Sequence, residues 1–139
     1  MVIVLIGYFS LLFSVVCMDI KFRQIPNYLI YLIGILGLFA CDCFYFENSA
    51  IDIISIFGVG FLLWYLNVWG AGDAKLLTVV SIAIDQQYLP GILLLITMIG
   101  GVTALLIIII NRLFGKQITT VPYGVTISIG GMVGTLASL

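Results

Sequence analysis

The sequence predicts an all-α membrane protein, a six-transmembrane-helix bundle with both termini outside. Three observations carry that prediction. The chain of 139 residues is 63% hydrophobic and 8% charged, with a mean hydropathy of +1.33. A soluble domain carries about 25% charged residues, so this chain has too little polar surface to cover a globule in water, and lipid is its solvent. Apolar stretches near the length needed to cross hydrocarbon, about 20 residues, recur six times along it. The basic residues fall only in alternate connections between those stretches.

The predicted spans are 1–18, 28–46, 51–69, 73–89, 91–110 and 121–139. The first is apolar from its start and has neither a basic leader nor a small-residue cleavage site, so it reads as a retained span rather than a secretory signal. The second opens after Pro26. Proline fixes φ and lacks an N–H, which suits a first helical turn, and it pushes Ile25 toward extended geometry. That leaves a bent loop from Asp19 to Ile25. The fourth is the weakest span, because Lys75 and Asp85 bracket a short apolar centre.

Charge placement supports that fourth span. Lys21, Arg23, Lys75, Arg112 and Lys116 lie in or beside the first, third and fifth loops, whereas Asp42, Glu47, Asp52 and Asp85 surround the second and fourth. The positive-inside rule places the odd loops in the cytoplasm. Without the fourth span, Arg112 and Lys116 would face away from the other three. Tyr28, Trp69 and Tyr123 then mark the cytoplasmic interface, and Tyr45 and Tyr88 the outer one. Glycines within spans (Gly34, Gly37, Gly58, Gly60, Gly100, Gly101, Gly130, Gly131, Gly134) suit close helix packing, with Gly130 and Gly134 at G-xxx-G spacing. The whole of 1–139 is expected to form one domain, a length that leaves no room for a soluble appendage.

Composition also excludes functions. There is no histidine, which removes the usual general base and most zinc sites. Cys17, Cys41 and Cys43 read as small apolar residues. No metal or cofactor is expected. No basic run interleaves with aromatics, so no nucleic-acid partner is expected. Ser10, Ser14, Thr97 and Thr103 lack an activating lysine or histidine at helical spacing and are expected to bond backbone carbonyls.

Two charged clusters stand out, "MDIKFRQIPNYL" (18–29) and "VWGAGDAKLL" (68–77). Acids at span ends can simply mark the membrane edge, and that reading suffices for Asp42, Asp52 and Asp85. Asp19 and Asp73 differ in their surroundings. Gly70 and Gly72 precede Asp73 and leave the backbone open to the approach of another chain. Both acids lie on the same predicted side and can share one crevice. Two carboxylates in one crevice share a proton, because like charges held close do not both ionise easily. One can then act as base and the other as acid.

These residues resemble the paired signature of the type IV prepilin peptidases and the related preflagellin peptidases, membrane aspartic proteases of the GxGD kind. The match runs through "DIKFRQIPN" (19–27), "GAGDAKLL" (70–77) and, near the end, "VPYGVTISIGG" (121–131), where Val125 stands in a position commonly proline. The resemblance implies that Asp19 and Asp73 are catalytic. It implies structural or substrate-orienting roles for Lys21, Arg23, Pro26, Asn27, Gly70, Gly72 and Lys75. It further implies removal of the leader of a prepilin-like membrane protein at the cytoplasmic face of the inner membrane, in the manner of the short, peptidase-only forms, without N-methyltransferase activity. Two other readings of the residues are a non-enzymatic membrane scaffold and a small ion or proton transporter, although a transporter would more naturally hold its acids at the midplane.

The shared side is testable. With Cys17, Cys41 and Cys43 replaced by alanine, cysteines placed at 19 and at 73 should both react with a membrane-impermeant thiol reagent from the cytoplasmic face only. Labelling from opposite faces would refute the shared crevice.

Overall fold

The computed structural model describes residues 2–40, 46–67, 69–115 and 121–139. Its elements are six helices: α1 Val2–Phe22, α2 Asn27–Ala40, α3 Phe46–Tyr65, α4 Ala71–Ser81, α5 Leu89–Phe114 and α6 Tyr123–Ala137. Cys41, Asp42, Cys43, Tyr45 and Lys116 lie outside the described residues. α1 and α5 are long and apolar enough to cross a membrane.

Contacts between the helices show successive elements reversing direction. Gly7 of α1 meets Leu36 of α2, and Gly37 meets Tyr8, so this pair is antiparallel. Gly34 and Gly37 of α2 meet Val79 and Ala83 while Asn27 reaches Lys75, so α2 runs parallel to α4. Gly60 of α3 faces Ala74, and Gln86, beyond α4, reaches back to Asp52 near the start of α3, an antiparallel arrangement. Gly100 of α5 meets Tyr123 at the start of α6, while Gly134 near its end meets Ile92. The end of α1 and of α3 and the starts of α2, α4 and α6 therefore gather at one end of the bundle.

α4 is the hub, packed against α2, α3 and α6. Its Leu76 and Val80 are fully buried, together with Tyr8 and Leu12 of α1, Ile33 of α2 and Ile127 of α6. The outward faces are apolar instead: Ile3, Phe13, Phe39, Leu105 and Phe114 are exposed. In water such surface would be costly, and in hydrocarbon it costs nothing.

Two segments differ from the sequence prediction. α1 continues to Phe22, so Asp19 sits on its last turn rather than in a loop, and the turn comes later, at Arg23, whose φ is 54°. Each added residue gains a backbone bond once a helix is nucleated, and the Arg23 N–H still donates to the Asp19 carbonyl at 3.0 Å. α4 is shorter than the expected 73–89. Its 11 residues span about 16 Å, against a hydrocarbon core of about 30 Å. Beyond Ser81 the bonding tightens to i→i+3, Ile82 to Val79, Ala83 to Val80 and Ile84 to Ser81, the pattern of a helix winding down.

Glycine explains how closely α6 packs. A Cβ at Gly131 would lie 2.6 Å from Val80, one at Gly134 2.6 Å from Ile84, and one at Gly130 would run into Ile96. Gly58 and Gly101, expected to serve packing as well, face open space. The hydroxyls behave as expected: Ser10, Ser14, Thr97 and Thr103 each donate to a carbonyl three or four residues earlier, at 2.7–2.9 Å.

Gly131→Ala should destabilise the protein by about 1–3 kcal/mol through overpacking. Gly58→Ala should be neutral or stabilising by up to about 1 kcal/mol, since alanine is the better helix former. Thermal melting of the two variants in one detergent distinguishes them.

Candidate active site

Asp19 and Asp73 line one cavity of about 550 Å³ at the end of the bundle where α1 stops and α2, α4 and α6 start. The turn after α1 supplies Arg23, Gln24 and Ile25 to its wall. The connection from α3 into α4 supplies Asn67, Trp69 and the Gly70–Gly72 backbone, and the approach to α6 supplies Val121 and Tyr123. Arg23 thus lines the same cavity as the two carboxylates.

The two acids are held differently. Asp19 is only 6% exposed. Its Oδ2 accepts the Val125 N–H at 3.3 Å, and the Gly124 amide also faces it. The first N–H groups of any helix lack partners within it and carry the positive end of its dipole. α6 has no cap from its own neighbouring side chains, and the carboxylate from α1 fills that place. This works only because residue 124 is glycine: a Cβ there would sit 2.8 Å from Asp19 Oδ2 and 2.9 Å from Ile25 Cδ1. It also needs an N–H at 125. Val125 supplies one where a proline could not.

Asp73 is held by its own segment. It is the third residue of α4, and its Oδ2 accepts the N–H of Gly70, the N-cap, at 3.2 Å. This is one half of a capping box. A Cβ at Gly70 would stand 2.9 Å from that oxygen. The open space expected beside Gly72 is occupied by the chain itself, with Ile25 Cβ 3.3 Å from where a Cβ would be. Trp69 and Tyr123 pack ring against ring, centroids 5.5 Å apart, and tie the α3–α4 connection to the start of α6. Asn67 takes a left-handed φ of 56° just past the end of α3, a conformation asparagine tolerates.

Of the residues singled out in the sequence, Asp19, Arg23, Gly70, Gly72 and Asp73 come together at the cavity. Lys75 and Asn27 instead pair with each other, Nζ to Oδ1 at 3.3 Å, on the side of α4 that faces α2 and α3. Lys21 lies over the Phe22 ring, 5.1 Å from its centroid. Pro26 precedes α2 and accepts the Leu29 N–H at 3.1 Å. Asp52 and Asp85 are at the far end, Asp52 bonded to Gln86 at 2.6 Å and Asp85 to the Gln87 N–H at 3.3 Å. Sequence reasoning passed over Gly124, Tyr123 and Trp69 as site residues. The final "VPYG" motif was the signal that could have found two of them.

The site belongs to an apolar helical bundle in which two carboxylates line one cavity, an arrangement able to pass a proton between base and acid without histidine. Comparison with known proteins gives the family. Residues 6–105 match the type IV leader peptidase family, and the chain belongs to that family. It is similar to a prepilin peptidase, EppA, of Methanothermobacter thermautotrophicus, at 36% identity over 77 residues. That alignment takes in 50% of this chain and 20% of the relative, so the chain spans about a fifth of the relative's length. No solved structure matches.

Gly124→Ala should displace the Asp19 carboxylate. The clash with Asp19 and Ile25 should also destabilise the protein by about 1–3 kcal/mol through overpacking, read as a lowered melting temperature of the variant against the wild type in one detergent.

Proposed function

We propose that the protein is a membrane aspartic endopeptidase of the cytoplasmic (inner) membrane that removes the leader of type IV prepilin-like precursors, Tad/Flp-type pilins or flagellin-like proteins, at the cytoplasmic face. In this reading the six helices all cross or enter the bilayer, both termini lie outside, and the activity is cleavage alone, without N-methylation. The observation that carries the proposal is the placement of Asp19 and Asp73 on one cavity at the end of the bundle. Family membership and the similarity to a prepilin peptidase support the substrate class.

The chemistry follows from a carboxylate pair holding one proton. The ionised aspartate takes a proton from a water molecule as its oxygen attacks the scissile carbonyl. The protonated aspartate gives its proton to the carbonyl oxygen, forming a tetrahedral diol. When the C–N bond breaks, the protonated aspartate gives its proton to the leaving amine and the ionised one takes the proton of a diol hydroxyl as that oxygen becomes the carbonyl, so the pair is left with one proton as it began. The titration belongs to the pair rather than to either member. Arg23, beside Asp19, and the Gly70–Gly72 backbone line the space a leader would enter.

Asp19→Asn and Asp73→Asn should each abolish leader removal, a loss of at least about 100-fold, with the protein still in the membrane fraction. Asp85→Asn, at the opposite end, should cleave within a few-fold of wild type. Conversion of a tagged precursor, followed as a gel shift, reads all three. Wild-type conversion by either cavity variant would overturn the mechanism.

A further inference from the structure

A second cavity, about 420 Å³, is a groove on the outer side of the bundle where α2, α3 and α4 meet. Ile30, Gly34 and Leu38 of α2, Val79 of α4 with Ile82 just past its end, and Phe57 of α3 make it apolar along its length. One end is different. Lys75 and Asn27 stand there, and the Lys75 ammonium touches the Asn27 amide oxygen with no carboxylate partner among the described residues. α2 and α4 both begin at this end, so the positive poles of two helices add to the lysine charge. The groove thus joins a cationic, donor-rich head to a long hydrocarbon-like channel.

The walls and the charge of the groove point to an occupant. From Asn27 to Leu38 is eleven residues of helix, about 16 Å of axis, lined by apolar side chains except at the end where Lys75 and Asn27 stand. An occupant with an anionic head and a hydrocarbon tail matches both parts at once.

We infer that this groove binds one anionic phospholipid, its phosphate on Lys75 and Asn27 and one acyl chain lying between α2 and α4. Asn27 presents its amide N–H₂ to the phosphate while its oxygen keeps the lysine in place. The inference rests on the membrane reading of the chain but not on leader cleavage. It gives Lys75, which stands off the acid cavity, a ligand of its own.

Native mass spectrometry of the full chain, released from mild detergent with equimolar dioleoyl phosphatidylglycerol and dioleoyl phosphatidylcholine, tests it. The wild type should retain one phosphatidylglycerol, preferred about fivefold, the effect of one basic residue at a membrane surface. Lys75→Gln should remove the preference and Lys75→Arg should keep it. Ile35→Trp, which fills the groove from α2, should lower retention of both lipids. Equal retention by the wild type, or an unchanged preference in Lys75→Gln, overturns the inference. So does a photo-crosslinker at position 35 that captures a prepilin helix in place of lipid. Leader cleavage by a protein without lipid preference would sink the groove and spare the peptidase; the converse result would do the reverse.

Discussion

The carboxylate of Asp19 on the first turn of α6 is the contact on which the site depends. It joins residues 106 positions apart. Burying an ion is costly unless hydrogen bonds replace its water, and a helix start is costly to bury unless something caps it. Each defect answers the other. The contact fixes the end of α1 against the start of α6, and the glycines further along α6 then bring Val80 and Ile84 into place against it. Through α4 the same register reaches Asp73. The relative position of the two acids is therefore set by helix packing across the bundle, which suits a constellation that has to hold its geometry.

Asp73 answers to a different constraint. Its support comes from Gly70, three residues away, so its orientation travels with the start of α4. One acid belongs to the bundle and the other to a short helix that needs the bundle around it. α4 has 11 residues, fewer than an isolated helix needs to be stable in water. Packing against α2, α3 and α6 supplies the stability that its length does not.

Much of this was legible in the sequence for simple physical reasons. Hydropathy reports helices because hydrocarbon leaves the backbone no other partner, and six helices form with directions that alternate. Asp19 and Asp73 stood out because charge is rare in such a chain, and they do share a cavity. What stayed hidden depends on partners distant in sequence. Gly124 looks like any other small residue until Asp19 is placed against it. Lys75 sits two residues from Asp73 and reads as part of the same cluster, yet helical geometry turns residues two apart onto different faces, and it points to Asn27 instead. Gly58 and Gly101 carry the same letter as Gly131, and only the fold shows that nothing approaches them. Hydropathy marks the fourth span as short through Asp85, but not the end of α4 at Ser81, since Ile82, Ala83 and Ile84 are as apolar as the helix before them.

Ile25 fills two vacancies at once. Its side chain lies against Gly72 of α4 and against Gly124 of α6, the two places where a neighbouring Cβ is missing. It therefore acts as a shim between the helix carrying one acid and the helix gripping the other, and its girth gauges the gap between them. Pro26 behind it denies the shim a helical conformation, so a residue of purely hydrocarbon character, with no chemistry of its own, meters the distance between two groups that do have it.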